Sequence, residues 1–141
     1  MEISHKFAFP DRLARLIEGT AMNVRLVRKV GFEAAHRLPQ VPVGHKCQRL
    51  HGHSFRVEIV VEGPVDEATG WFIDYGEIDD AWSPIFEMLD HNYLNDVTGL
   101  ENPTSEILCR WLWQRLTPKL PSLAKVIVHE TCNATCEYDG N

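Results

Sequence analysis

The sequence has a deficit of positive charge and no long apolar run. Its 141 residues include 14 lysine and arginine residues against 20 aspartate and glutamate residues, which gives a formal net charge of −6. Such a balance leaves no electrostatic footprint for nucleic acid or an anionic membrane surface. The longest stretch without a formal charge is residues 38–45, whereas a membrane-spanning helix needs about 20 mostly apolar residues. We therefore expect neither a nucleic-acid partner nor a membrane span.

Cysteine is scarce, and the N-terminus lacks the apolar core of a secretory signal. The chain has four cysteines, and residues 1–18 mix charged with apolar side chains. These features predict a cytoplasmic protein with reduced thiols, so that metal binding or catalysis is the interesting use of cysteine. The chain has one domain's length. We interpret residues 1–22 as a disordered N-terminal extension and residues 23–141 as a single domain.

Alternating apolar residues predict two long strands at the start of this domain. From Val24 to His36 the even-numbered positions are mostly apolar, and from His51 to Val61 the odd-numbered positions are. A period of two is what a strand with one buried face requires. Residues 37–50 between them carry two prolines and a glycine, which is typical of a loop.

Two helices are predicted to follow the second strand. Asp74 with Glu77 three residues later is typical of a capped helix start, and an apolar stripe continues from there to Leu89. A second helix is predicted to begin around residues 102–105 and to end before Pro118.

The remaining β-rich segments complete the predicted fold. Residues 124–131 form one such run, and a short last strand is expected around residues 136–138. The order of two strands, two helices and two strands indicates an α+β fold, in which both helices pack on one face of an antiparallel sheet.

Three histidines lie on the apolar faces of the first two predicted strands. His51 and His53 are two residues apart, so both imidazoles leave the same side of their strand. If the two strands pair, His36 approaches them from the neighbouring strand. A single histidine in such a place is more often half-buried and bonded to a backbone carbonyl. Three on matching faces favour a zinc site with an open fourth position.

Cys47 precedes His51 by four residues, and its role has two interpretations. As a fourth ligand it would close a structural zinc site, and as a thiolate it would stand beside an open one. Lys46 and Arg49 flank it, and nearby positive charge favours a thiolate. Gly52 lies between two histidines and permits a close approach of the backbone to a metal or ligand.

Two further places carry residue types suited to acid–base chemistry. Asp90 directly precedes His91, and an aspartate that orients a histidine is a usual pairing for proton transfer. The alternative is a solvated helix end. Glu130 shares a predicted strand face with valines, where a carboxylate is costly unless it is paired or bound to a ligand. Two N–H donors of a guanidine-like ligand edge would satisfy it, and a strand-end glutamate facing water is the alternative.

Four segments form an ordered set over the domain: Phe32-Glu33-Ala34-Ala35-His36-Arg37-Leu38, Gly44-His45-Lys46-Cys47-Gln48-Arg49-Leu50-His51-Gly52-His53, Leu89-Asp90-His91 and Glu101-Asn102-Pro103-Thr104-Ser105-Glu106. Together they resemble the 6-pyruvoyl-tetrahydropterin synthase family, and within it the 6-carboxy-5,6,7,8-tetrahydropterin synthases of queuosine biosynthesis. The resemblance extends from about Val27 to Tyr138. A lone His-Gly-His is weak evidence, but this ordered set is highly specific.

The resemblance implies the tunnelling fold, or T-fold, in which a four-stranded antiparallel sheet is backed by two helices. It implies a homo-oligomer, a hexamer or similar, whose subunits join edge to edge into a barrel with active sites at the interfaces. It also implies zinc as cofactor. The ligands that it implies are His36, His51 and His53.

The resemblance further implies roles for the other motif residues. Cys47 is the expected proton acceptor, and His91 with Asp90 is the expected proton relay, reached across a subunit boundary. Glu130 matches the glutamate that grips the amino-pyrimidine edge of the pterin and takes part in the relay. Two more residues match a segment whose backbone contacts the pterin ring: Thr104 and Ser105.

The implied reaction converts 7,8-dihydroneopterin triphosphate to 6-carboxy-5,6,7,8-tetrahydropterin with release of acetaldehyde and triphosphate. Lys46, Arg37 and Arg49 are candidates for binding the triphosphate. One alternative is a 6-pyruvoyl-tetrahydropterin synthase, which eliminates triphosphate without carbon–carbon cleavage; the three-residue gap between Cys47 and His51 favours the carboxy-forming branch. A zinc-stabilised binding module without catalysis, with Cys47 as fourth ligand, is the other alternative.

Overall fold

The computed structural model describes residues 22–141, so the predicted disorder of the N-terminal extension lies outside the described residues except at Met22. Seven main elements follow one another along the chain: β1 (Asn23–His36), β2 (His51–Pro64), α1 (Tyr75–Leu89), β3 (Asn92–Tyr93), α2 (Ser105–Leu116), β4 (Leu123–Thr131) and β5 (Ala134–Tyr138). The order and type of the predicted strands and helices are confirmed. No helix in residues 22–141 has the length and apolar character needed to cross a membrane.

Backbone contacts divide the described chain into two compact units. The smaller one comprises residues 22–24 and 63–72, and the larger one residues 25–62 and 73–141. In the smaller unit the Val65 N–H donates to the Met22 carbonyl at 2.8 Å. Its tight turn is held by the Asp66 carboxylate, which accepts from the Ala68 N–H at 2.7 Å.

The larger unit is built on one sheet with strand order β3-β1-β2-β4-β5. Strand β4 pairs antiparallel with β2 and with β5. Cross-strand contacts from β1 to β2 run in opposite chain directions, since Phe32 meets Phe55 and His36 meets His51. The predicted antiparallel four-stranded sheet is therefore present.

A fifth strand, β3, was not expected. It has two residues and pairs parallel to β1, with Ala34 opposite Asn92. The preceding residue, His91, has a φ of 55°, in the left-handed region that non-glycine residues seldom adopt. That conformation turns the chain sharply after α1 and lays the next residues along β1.

Capping side chains begin both helices where the sequence predicts them. Asp74 accepts from the Gly76 N–H at 2.9 Å at the start of α1, and Thr104 accepts from the Ile107 N–H at 3.2 Å at the start of α2. Each satisfies one of the free N–H groups of a first helical turn. The guanidinium of Arg28 on β1 binds both carboxylate oxygens of Asp79, at 2.8 and 3.0 Å, and so ties α1 to the sheet.

The core lies between the two helices and one sheet face. Phe32 and Phe55 stack with ring centroids 4.9 Å apart, and Trp82 of α1 packs 6.2 Å from Phe32. The remaining buried positions are the apolar stripes of both helices and the alternating positions of β2 and β4. At the end of β1 this same buried face carries His36, which is fully buried.

Candidate metal centre and active site

His36, His51 and His53 converge where β1 ends and β2 begins. One ring nitrogen from each lies within 4.8 Å of the other two, and among residues 22–141 this cluster consists of the three histidines alone. The rings meet edge to face, with centroids 4.6 to 5.1 Å apart. Antiparallel pairing of β1 with β2 thus brings together the three residues that strand periodicity places on matching faces.

Two backbone carbonyls fix the orientation of two of these rings. Nδ1 of His36 donates to the carbonyl oxygen of Pro103 at 2.9 Å, and Nδ1 of His51 donates to that of Arg49 at 2.7 Å. Because a carbonyl only accepts, the proton of each neutral ring sits on Nδ1 and leaves a lone pair on Nε2. The two Nε2 atoms face each other at 3.0 Å.

Facing lone pairs repel unless a cation or a shared proton lies between them. Burial lowers the pKa of His36 and that of His53, so extra protons are disfavoured in this cluster. A tetrahedral zinc ion with bonds of about 2.0–2.1 Å separates its nitrogen ligands by about 3.3 Å. The donor type, orientation and spacing of the three histidines therefore fit a divalent metal ion.

Glu130 lies beside this cluster. One carboxylate oxygen is 3.5 Å from Nε2 of His36 and 3.8 Å from Nε2 of His53. The pairing of β4 with β5 shifts register between His129 and Thr131, so Glu130 stands at an irregularity of the ladder. Such irregularities re-aim a side chain near many active sites. The carboxylate is within reach of whatever binds at the three histidines.

Cys47 sits in a short helical turn that local hydrogen bonds hold in place. Its N–H donates to Nδ1 of His45 at 3.1 Å, and its carbonyl accepts from the Leu38 N–H at 2.8 Å. His45 thus orients the backbone of Cys47. This role was not predicted from the sequence, although His45 lies only two residues from Cys47. Cys47 stands outside the cluster of three histidines yet lines a cavity of about 500 Å³ with two of them, His51 and His53, and with Lys46, Arg49 and Glu130.

Asp90 and His91 form a hydrogen-bonded pair fastened to β1. Nδ1 of His91 donates to the Asp90 carboxylate at 2.7 Å, and the other oxygen accepts from the Glu33 N–H at 2.9 Å. The His91 N–H donates back to the Glu33 carbonyl at 2.6 Å. The hydrogen bond that His91 donates to Asp90 raises the pKa of His91, and the Glu33 N–H is the main cause that lowers the pKa of Asp90.

His91 is open to a ligand or to another molecule. Its side chain is 79% exposed, and it lines a cavity of about 570 Å³ together with His53. The left-handed backbone at His91 is a strained conformation that persists only where the surroundings fix it. The hydrogen bonds to Glu33 provide that restraint, so this histidine is held in an exposed, oriented position.

Asn95 is a site-forming residue that sequence reasoning missed. Its Oδ1 accepts from the Arg37 N–H at 3.0 Å, and its Nδ2 donates to the Arg37 carbonyl at 2.8 Å and to the Glu101 carbonyl at 3.3 Å. It thereby joins the residue after His36 to the segment that ends in Pro103, whose carbonyl orients His36. A single asparagine between two loops gives no sequence signal of such a role.

Thr104 and Ser105 directly follow the carbonyl that orients His36. Thr104 caps α2, and neither residue lines the cavity of Cys47 or the cavity of His91. Gly52 lies close to β1, because a Cβ there would be 3.3 Å from the Ala34 carbonyl oxygen, and it also lines the cavity of His91.

Comparisons with known proteins agree with this site. The 6-pyruvoyl tetrahydropterin synthase family matches residues 25–141. The 6-carboxy-5,6,7,8-tetrahydropterin synthase of Synechocystis sp. is 39% identical over 119 residues, which is 80% of this chain and 91% of that protein. The 6-pyruvoyl tetrahydrobiopterin synthase of Drosophila melanogaster is 37% identical over 132 residues, covering 82% and 79%.

Solved structures give the same result. The Caenorhabditis elegans 6-pyruvoyl tetrahydropterin synthase superimposes with a TM-score of 0.79 at 26% identity, over 86% of this chain and 98% of that one. Fold and site together define a T-fold enzyme that acts on pterins, with a three-histidine site suited to a metal ion. The chain belongs to the 6-pyruvoyl tetrahydropterin synthase family.

Proposed function

We propose that this protein is a zinc-dependent lyase that converts 7,8-dihydroneopterin triphosphate to 6-carboxy-5,6,7,8-tetrahydropterin, releasing acetaldehyde and triphosphate, in queuosine (7-deazaguanine) biosynthesis. The observation that carries the proposal is the separation of roles at one cavity: three histidines face one point, two of them, His51 and His53, line the cavity, and Cys47 lines it from outside their cluster. Similarity to the Synechocystis 6-carboxy-5,6,7,8-tetrahydropterin synthase supports this branch of the family.

The metal site is proposed to bind zinc through His36, His51 and His53. Bound zinc would supply Lewis acidity to the oxygens of the substrate side chain and make the adjacent C–H and O–H groups more acidic. Three neutral imidazoles with an open fourth position are the ligand set of a catalytic zinc ion, whereas a structural site is closed by a fourth protein ligand. The carbonyls of Pro103 and Arg49 keep two of the rings in the required tautomer.

The proton transfers are proposed to use Cys47 and His91. The Cys47 thiolate takes a proton from the substrate side chain at Sγ. His91 holds its own proton on Nδ1 toward Asp90, so its Nε2 is the atom that returns or removes a proton at the substrate. These transfers let triphosphate leave, and the carbon–carbon bond then breaks as water adds to the carbonyl carbon next to the ring, so that this carbon becomes the carboxylate and the remaining side-chain carbons leave as acetaldehyde.

The substrate ring is proposed to be held by Glu130, with backbone contacts from Thr104 and Ser105. The carboxylate can accept two N–H bonds from an amino-pyrimidine edge, which is charge-assisted recognition. The exposure of His91 and the position of Thr104 and Ser105 outside the two cavities favour a complete site at the boundary between subunits. We therefore propose a homo-oligomer, a hexamer or similar, whose barrel joins the exposed sheet edges.

Product analysis with zinc-loaded protein and 7,8-dihydroneopterin triphosphate tests the reaction. We expect acetaldehyde together with a 6-carboxypterin. A pyruvoyl product without acetaldehyde would assign the chain to the alternative 6-pyruvoyl-tetrahydropterin synthase activity and refute carbon–carbon cleavage. No turnover at full zinc occupancy would support the other alternative, a zinc-stabilised binding module.

Two variants with matched controls test the assignment of residues. Cys47→Ala is expected to keep zinc and lose activity, while Cys132→Ala, at an exposed cysteine outside that cavity, keeps both. His51→Ala is expected to lose zinc, while His129→Ala, whose ring bonds Glu58 at 2.7 Å, retains it. Full zinc occupancy in His51→Ala, or turnover in Cys47→Ala, contradicts the corresponding assignment.

A further inference from the structure

Two cations line the cavity that Cys47 shares with two of the clustered histidines, His51 and His53. Lys46 and Arg49 flank the cysteine in sequence, and both border the same cavity of about 500 Å³ as His51 and His53. Both side chains are exposed, while the turn that carries them is fixed by the bonds of Cys47 and by the Arg49 N–H, which donates to the Lys46 carbonyl at 3.2 Å. The cations therefore stand on an ordered loop at the cavity.

Lys46 and Arg49 form no salt bridge with a carboxylate within residues 22–141. Some other cations of the larger unit do so: Arg28 binds Asp79 at 2.8 Å, and Lys125 binds Glu137 at 3.1 Å. In a chain with a net charge of −6, two cations left without an acidic partner beside one cavity favour an anionic ligand there.

The groups that line the cavity follow one another in a fixed order along the start of β2. Glu130 lies 3.8 Å from His53, His51 is the next ligand along the strand face, and the Arg49 carbonyl bonds the far nitrogen of His51. The cations thus adjoin the metal cluster on the His51 side, whereas Glu130 adjoins it at His36 and His53. A ligand held by its ring at Glu130 and by its side-chain oxygens at the histidines would extend toward Lys46 and Arg49.

We propose that Lys46 and Arg49 form a polyphosphate subsite, which binds the triphosphate group of the substrate and retains it as it becomes the leaving group. This inference rests on the proposed function, because it takes the substrate from there. The triphosphate is attached at the end of the three-carbon side chain, close to the oxygens that the metal centre binds. Arginine binds phosphate oxygens in pairs and lysine acts as a compact point charge, so the two together suit a polyphosphate.

Arg37, the third cation considered from the sequence, is not part of this subsite. It borders neither this cavity nor the cavity of His91, although its backbone is clamped by Asn95. Arg37→Gln is therefore a matched control, since it removes one positive charge from a neighbouring loop and leaves the cavity lining intact.

Binding of inorganic triphosphate to the zinc-loaded protein, measured by calorimetry, tests the subsite. We expect Lys46→Gln and Arg49→Gln each to weaken binding about tenfold and the double variant about a hundredfold, as charge-assisted contacts predict. Any contact of triphosphate with zinc is shared by all variants, so the difference reports the two cations. The loss is expected to shrink as salt is raised. Equal affinity in the wild type and the double variant, or an equal loss in Arg37→Gln, would overturn the proposal.

Steady-state kinetics on 7,8-dihydroneopterin triphosphate separate this inference from the proposed function. The double variant is expected to raise KM at least tenfold and to retain zinc, with the same products as the wild type. An unchanged kcat/KM would refute the subsite even where the reaction itself is confirmed. If the wild type binds triphosphate but shows no turnover, and the double variant loses that binding, the subsite is supported and the proposed reaction is refuted.

Discussion

Replacement of Asn95 by alanine is expected to weaken metal binding although Asn95 touches no metal ligand. The side chain makes three hydrogen bonds that join Arg37, the residue after His36, to the segment ending in Pro103. Each such bond contributes about 1 kcal/mol to folding, and water that enters the truncated site recovers part of this. We expect the free energy of unfolding to fall by about 1–2 kcal/mol.

Asn95 is expected to affect metal affinity indirectly, through the hydrogen bond between His36 and the Pro103 carbonyl. When the two segments are no longer joined, the Pro103 carbonyl is less well placed to hold Nδ1 of His36. Loss of the partners that orient a metal ligand typically lowers metal affinity about 10–100-fold. Asn95→Asp is expected to be at least as damaging, because a carboxylate would face the carbonyl oxygens of Arg37 and Glu101 in place of an N–H donor.

Competition with a chromophoric chelator measures the zinc affinity, and urea denaturation measures stability on the same samples. Asn92→Ala is the matched control: the Asn92 amide donates to the carbonyls of Glu87 at 3.4 Å and Met88 at 3.0 Å, at the end of α1. It is expected to lose stability and to keep its zinc affinity. If Asn95→Ala loses stability alone, as this control does, the argument that it positions His36 is wrong.

Two further predictions concern the Asp90–His91 pair and the residues packed beneath the three histidines. Asp90→Asn weakens the hydrogen bond and removes the charge that raise the pKa of His91. The NMR titration of His91 should therefore move to lower pH, as should the limb of the pH–rate profile that reports its protonation. An unmoved titration refutes the pairing. Phe55 is fully buried and contacts the rings of Phe32, His36 and His53, so Phe55→Ala should destabilise the protein by about 3–5 kcal/mol in chemical denaturation. Phe55→Leu, which keeps most of the volume, should cost much less, and equal losses in the two variants would contradict the packing argument.

The regular elements of the fold could be predicted because their signals are local. Strand periodicity is repeated over many residues in β1 and β2, and cap residues mark the starts of α1 and α2 at Asp74 and Thr104. The five-stranded sheet could not be predicted in full. Strand β3 has two residues, too few for a period, and it exists because His91 adopts a left-handed backbone that a histidine seldom takes.

The candidate site likewise has two parts: side chains whose spacing in the sequence predicts where they lie, and backbone atoms whose positions no sequence pattern predicts. His36, His51 and His53 were predictable as a group because face parity and strand pairing together determine their convergence. The carbonyls of Pro103 and Arg49 have no side-chain signature, yet they decide which nitrogen of two histidines is free to bind a metal. The convergence of the three histidines can therefore be inferred from sequence, whereas the protonation pattern that makes them fit a cation depends on loops that only the folded chain brings together.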